Sequence, residues 1–168
     1  MRVLVSDTSV LVDLERGNLL QAAFLLPLEF AVPDVLYHRE LKDFGGQQLT
    51  DLGLRIEELP PEGVELAKNF RDRKPGLSVP DAFAAALAKT QGWALLAGDG
   101  LLRELAAEEA VECRGVLWLM DLMLEEAVVE AQVLLDGLSR IAEHPRCRLP
   151  KRETRNRLER YGRATEGS

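Results

Sequence analysis

Residues Met1–Leu14, MRVLVSDTSVLVDL, decide how the rest of the chain is read. Val3, Leu4 and Val5 form a short apolar run, Ser6-Asp7-Thr8-Ser9 stops it, and a second apolar, helix-like run begins at Val10. A run without polar alternation reads as a strand buried on both faces, as in a parallel sheet with helices on either side. Ligands of open α/β sheets gather beyond the carboxyl ends of such strands. Asp7 stands at that end, where a metal or phosphate site would be built.

Further along, the pattern repeats. Leu19–Leu26 reads as a short helix ended by Pro27, and Glu29–Val32 as a short strand. Pro33-Asp34 opens a helix over Val35–Phe44 that Gly45-Gly46 terminates. Leu54–Leu59 reads as an outer strand, and Pro60-Pro61 leads into a helix running to Lys74. Ser78–Gln91 is a helix with Phe83, Ala86, Leu87 and Thr90 at helical spacing. Trp93–Ala97 is a second buried strand, turned by Gly98-Asp99-Gly100 into a helix over Leu101–Glu108, and Val111–Cys113 is a last short strand. Strands alternating with helices in this way predict an α/β fold, a three-layer sandwich with a central parallel sheet flanked by helices. Residues 1–115 carry this pattern. Residues 116–168 read as a C-terminal helical extension with a basic tail, packed on the same domain.

Four acids sit where strands end or helices run: Asp7, Glu40, Asp81 and Asp99. Each has a structural reading beside the chemical one. Asp7 suits a helix N-cap, a role Ser9 could share. Glu40 reads as a solvated helix residue beside Arg39 and Lys42. Ser78 and Asp81 have the spacing of a capping box, although Asp81 also shares a helix face with Ala84, Ala85 and Ala88. Asp99 fits a glycine-flanked turn. Taken together they demand more. If the strands carrying Asp7 and Asp99 are neighbours, they lie about 4.8 Å apart, and two carboxylates at about 4 Å repel by roughly 4 kcal/mol at an effective dielectric near 20. No Lys, Arg or His lies within two residues of Asp7, Asp81 or Asp99. Either some of the acids keep a proton or a divalent cation sits among them. An all-oxygen donor set favours Mg²⁺ or Mn²⁺.

In the order VSDTSVLVDL, VPDVLYHREL, LSVPDAFAAALAKTQG and LLAGDGLL, the chain resembles the PIN-domain ribonucleases, the family that includes VapC-like toxins. That resemblance implies a metal-dependent endoribonuclease that hydrolyses RNA phosphodiester bonds with Mg²⁺ or Mn²⁺, leaving a 5′-phosphate and a 3′-hydroxyl. It implies that Asp7, Glu40, Asp81 and Asp99 are the catalytic, metal-holding acids, with Ser9 supporting them. It further implies the toxin of a toxin–antitoxin pair with a small antitoxin protein as partner; the N-terminal layout separately leads us to expect a cytoplasmic protein, and the charge asymmetry a homodimer. Three features depart from the family pattern: the region after Gly115 exceeds the minimal domain, and two positions differ. Ala97 replaces the usual Thr or Ser two residues before the last acid, and Glu40 falls about one residue late relative to Pro33, so that Arg39 competes for its register. The alternative reading that Ala97 motivates is a catalytically weak PIN-like module that binds RNA or protein. An aspartyl-phosphate phosphatase or receiver domain fits less well, because Ser9 stands where the phosphatase wants a second Asp and no Lys follows the late strand.

Charge and composition agree with these readings. The net charge of −7 argues against gross nonspecific affinity for nucleic acid, yet it is unevenly spread. Arg146–Ser168 holds eight Lys or Arg against three Glu, a balance of +5, which leaves −12 on residues 1–145 of the total of −7. The tail reads as a mostly solvated helix or, functionally, as an RNA-guiding strip with Lys151, Arg152 and Arg155 on phosphates and Tyr161 as a base-stacking aromatic; a basic strip across an acidic body could equally help two copies associate. Two cysteines, Cys113 and Cys147, are too few for a disulfide framework or zinc site. The absence of a signal-peptide layout and of a long apolar run predicts no membrane span. Trp118 and its apolar neighbours read as core packing, with a partner surface as the rival.

Overall fold

The structure, a computed structural model, describes residues 1–167; Ser168, the last residue of the extension, lies outside the described residues. Five strands form one all-parallel sheet: β1 (Arg2–Ser6), β2 (Leu28–Pro33), β3 (Arg55–Glu57), β4 (Ala94–Leu96) and β5 (Cys113–Arg114), in the order β3-β2-β1-β4-β5. The chain steps outward from β1 through β2 to β3, then returns to the other side of β1 for β4 and β5. The direction of winding therefore reverses between β1 and β4. That crevice is the place where an open parallel sheet leaves room for a ligand.

Helices cover both faces. α1 (Thr8–Arg16), α2 (Leu20–Phe24) and α8 (Val116–Glu125) pack together on one side, and α9 (Ala131–Glu143) and α10 (Lys151–Glu166) lie outside them. α5 (Pro61–Arg73), α6 (Val79–Gln91) and α7 (Gly100–Glu108) form the other layer, joined by the short α3 (Asp34–Leu36). Leu4, Val5, Leu95 and Leu96 are wholly buried at the centre of the sheet, each such side chain contributing roughly 1.5–3 kcal/mol by leaving water. The same core takes in Leu134, Leu138, Ile141 and Tyr161 from α9 and α10. No described helix is long and apolar enough to cross a membrane.

Several elements differ from their sequence reading, each for a local reason. The single helix expected over Val35–Phe44 is α3 followed by a π-helical turn, Tyr37–Leu41, closed by the Lys42 N–H donating to the Tyr37 carbonyl at 2.8 Å. Gly45-Gly46 does not simply end it. Gly45 takes a left-handed conformation, φ 83°, and an unanticipated helix α4 (Gly46–Leu52) starts at once. On α6 the expected stripe is only half right: Thr90 is exposed and Phe83 half-buried, while Ala82 and Ala84–Ala88 are all buried. The helix is wedged between the sheet, α3, α5 and α7, so small side chains all round matter more than one apolar stripe. The last strand is Cys113–Arg114 rather than Val111–Cys113.

A candidate metal and phosphate site at the strand ends

Asp7 follows β1 directly, and its N–H donates to the Leu96 carbonyl at 2.9 Å, extending the β1–β4 pairing by one residue. The chain then turns into α1, with Asp7 as N-cap: Oδ1 accepts from the Val10 N–H at 2.9 Å. Oδ2 accepts from the Ser9 hydroxyl and from the Gly98 N–H, both at 2.9 Å. The residue is 1% exposed. Burial pushes its carboxyl above the usual range, and the donors from Val10, Gly98, Ser9 and Asp99 pull it partly back. The capping and chemical readings of Asp7 are thus compatible, because the cap is what aims the carboxylate across the β1–β4 crevice.

Asp99 follows the end of β4 and caps α7 in the same way, its Oδ2 accepting from the Leu102 N–H at 3.0 Å. Ser78 caps α6 through the Asp81 N–H, at 3.2 Å, which leaves the Asp81 side chain facing the crevice. Its carboxyl is pushed up to about 7, first by burial, then by the negative charges of Asp7 and Asp99, with Glu40 adding to them. All four acids line one cavity. Glu40 reaches it from the π-helical turn and accepts from the Thr8 hydroxyl at 3.0 Å. Arg39, the competing residue, is exposed and lines no part of the site. The wider i→i+5 turn absorbs one extra residue, which accounts for Glu40 falling one place late.

A cavity of about 510 Å³ joins these groups, lined by Asp7, Ser9, Glu40, Asp81 and Asp99, together with Asp13, Arg16, Arg146 and Arg148. A groove of similar size at the opposite ends of the strands, lined by Met1, Arg2, Lys89 and Glu112, holds no such concentration of acids. Asp13 is a further acid of the site. Ser9, Val12, Asp13 and Arg16 recur at i, i+3, i+4 and i+7 on the face of α1 opposite its buried Val10, Leu11 and Leu14, and that spacing from Ser9 is the signal that marks it. Burial and Asp7 push its carboxyl up to about 6, against Arg16 at 3.8 Å.

The donor set suits Mg²⁺ or Mn²⁺ chemically: it is all oxygen, the second oxygens of Glu40 and Asp99 have no donor among the described residues, and the Asp81 carboxylate has only the Ser78 hydroxyl beside it. Among the described residues no group of three His, Cys, Asp or Glu is gathered tightly enough to hold a metal ion unaided. An ion that keeps several waters and takes only one or two carboxylates fits such an open arrangement. Ala97 is wholly buried and offers no hydroxyl; the donors to Asp7 come instead from Ser9 and Gly98. A Cβ on Gly98 would lie 2.6 Å from the Ser9 Oγ, so the absence of a side chain there is what lets this pair of donors converge.

The basic tail divides. Lys151, Arg152 and Arg155 are exposed on α10 and do not line the cavity. Tyr161, read from sequence as a stacking residue, is wholly buried, and its hydroxyl donates to Asp121 at 2.6 Å. It has no face to offer a base. Trp118 is half-buried against the core, with the Arg2 and Arg114 guanidiniums over its ring at 5.6 and 5.7 Å.

No curated protein matches the chain. Among solved structures it is similar to a PilT N-terminus domain protein from the hyperthermophilic archaeon Sulfolobus solfataricus P2, with 16% identity over 74% of this chain and 95% of that one and a TM-score of 0.51, a likeness of fold. A family model described as a PIN domain matches residues 3–163, the C-terminal helices included. On that match the chain belongs to the PIN-domain family, whose members are generally nucleases that use divalent metals.

Proposed function

We propose that this protein is a Mg²⁺- or Mn²⁺-dependent endoribonuclease. The observation that carries the reading is the convergence of Asp7, Glu40, Asp81 and Asp99 on one cavity, with Asp81 pushed up to about 7 by burial and by its acidic neighbours. Asp81, Asp99 and Glu40 are the residues that would hold the ion, with Asp7 fixed behind them by its three donors. A divalent cation held there would supply Lewis acidity and lower the pKa of a bound water. The chain's own residues do the rest. Buried walls keep bulk water away from Asp7, and the Ser9, Val10 and Gly98 donors hold its carboxylate in one orientation behind the other three acids. The toxin of a toxin–antitoxin pair, held in check by a small protein, is the setting that the family resemblance suggests for such an activity.

A second reading, an RNA-binding module with little catalysis, is favoured by two features: the missing hydroxyl at Ala97 and the absence of a tight three-acid group among the described residues. Cleavage of mixed-sequence single-stranded RNA in Mn²⁺ separates the two. Wild type is expected to cut, and Asp7→Asn, which preserves the helix cap, is expected to be inactive. Equal cleavage by both removes Asp7 from the site; RNA binding without cleavage by wild type selects the binding module.

A further inference from the structure

The linker between α9 and α10, residues 144–150 (HPRCRLP), is the part of the C-terminal region that reaches the strand ends. Its position is fixed. α9 sits so close to the end of α1 that a Cβ on Gly137 would lie 2.8 Å from the Gly17 carbonyl oxygen, and Arg140 donates to that same oxygen at 3.2 Å. Within the linker, the Cys147 N–H donates to the His144 carbonyl and the Arg146 N–H to His144 Nδ1, both at 3.0 Å. Cys147 and Leu149 pack against the core. With those side chains turned inward, Arg146 and Arg148 are left exposed, and both line the acidic cavity.

What they lack is a partner. Several arginines of the molecule are engaged: Arg157 and Arg160 by Asp121, Arg73 by Glu108 and Glu109, Arg55 by Glu29 and Glu57. The exposed Arg39, Arg152, Arg155 and Arg163, which have no such partner among the described residues, line no part of the cavity. Arg16, the third guanidinium of the cavity, faces Asp13 at 3.8 Å. Among the described residues the side chains of Arg146 and Arg148 make no hydrogen bond and no ion pair. A cation placed only to neutralise the acids would sit in contact with one of them. These two do not, so their complement is an anion that enters from outside. The guanidinium fork matches phosphate oxygens two at a time, and a single strand is flexible enough to put one phosphate among the acids while its neighbours meet the rim.

We infer that Arg146 and Arg148 form a phosphate clamp that holds single-stranded RNA beside the acids, so that the C-terminal helices contribute substrate affinity through this linker. The clamp deepens the nuclease reading, on which the word substrate rests; the binding itself does not depend on it. The test is fluorescence anisotropy with a short labelled single-stranded RNA in Mg²⁺ and a titration of salt, in an Asp81→Asn background that spares the probe. Arg146→Ala/Arg148→Ala is expected to weaken binding about tenfold or more and to lower the slope of log K against log salt by about 1.4, the loss of two single-strand phosphate contacts. Lys68→Ala/Arg163→Ala, which removes equal charge from residues that line no part of the cavity, leaves that slope intact. Arg146→Lys/Arg148→Lys retains the slope and loses only part of the affinity, which separates lost contacts from misfolding. An unchanged slope in the double alanine variant overturns the clamp, even where wild type cleaves RNA. Arginine-dependent binding with no cleavage by wild type keeps the clamp and removes the nuclease. Failure of wild type to bind the RNA removes both.

Discussion

Asp121 and Asp81 are the same residue in two settings, and the contrast between them separates structure from function in this molecule. Asp121, on α8, accepts from Tyr161 at 2.6 Å and from Arg157 at 2.9 Å and also pairs with Arg160. Its charge is spent on tying α10 to α8. Asp81 has one hydroxyl neighbour in Ser78 and negative charge from Asp7, Asp99 and Glu40, and it responds by holding its proton up to about pH 7. Proteins compensate half-buried carboxylates when stability is the aim; a cluster left uncompensated is more costly and belongs to a site that a cation completes. The difference between the two aspartates is therefore one of partners, and it predicts different consequences for the same substitution.

The largest effect expected is on turnover. Asp81→Asn should lower Mn²⁺-dependent RNA cleavage about 100-fold or more while leaving the fold at least as stable. Asp121→Asn should leave turnover unchanged and cost about 1–3 kcal/mol of stability through the weakened pairs with Arg157, Arg160 and Tyr161, seen as a drop in Tm of about 2–4 °C per kcal/mol. Initial rates and thermal melts on the two variants check both halves. If Asp121→Asn proved the inactive one, the distinction drawn between the two settings would be lost.

A smaller effect isolates how Asp7 is aimed. In Gly98→Ala the new Cβ would lie 2.6 Å from the Ser9 Oγ, forcing that hydroxyl off Asp7, and cleavage should fall about tenfold, as when other residues that orient a metal site from behind its ligands are changed. Adding Ser9→Ala should relieve the crowding and return the melting temperature without returning the lost hydroxyl bond. Recovery of full activity in the double variant would show that Ser9 does not orient Asp7.

The smallest effect is on pH and stability. Asp7, Asp13 and Asp81 are all raised by burial, the latter two to about 6 and about 7. A carboxyl raised on folding binds its proton more tightly in the native state, so its penalty is absent below its unfolded pKa, grows as pH rises, and is complete above its folded pKa. On the account of these groups alone, the metal-free protein should melt highest at or below about pH 4, near their unfolded value of 3.8, and lose a few degrees by pH 8. Asp81→Asn should flatten that decline, and Mn²⁺ should raise Tm more at pH 8 than at pH 5. A melting temperature that rises with pH over this interval in the absence of metal contradicts the sign.

Much of this was legible in the chain itself. β1 and β4 declare themselves as apolar runs ending in Asp7 and Gly98-Asp99, and a parallel sheet brings two such ends together wherever they are neighbours. Ser78 and Asp81 read as a cap, correctly, and the cap is what turns the acid toward the strands. The features that escaped depend on context outside their own window. A π-helical turn leaves no periodic signature, so the placement of Glu40 over Arg39 follows only from the Lys42–Tyr37 bond. Gly45-Gly46 reads as a stop, although Gly45 at positive φ can turn the chain directly into α4. Tyr161 sits among charged residues and looks exposed; its burial follows from α10 docking on Asp121. Arg146 and Arg148 lie nearly fifty residues beyond Asp99 in the chain, and only the seating of α9 on α1 brings them to the cavity.

Calorimetric titration of Mn²⁺ into the folded wild-type protein at pH 7 addresses most directly the idea that this crowd of carboxylates is built for a cation. Binding with release of protons is expected, since the ion displaces the proton that Asp81 still holds near that pH, and Asp81→Asn should weaken the binding and abolish most of the release. No heat of binding at millimolar Mn²⁺, with the protein folded, would contradict it.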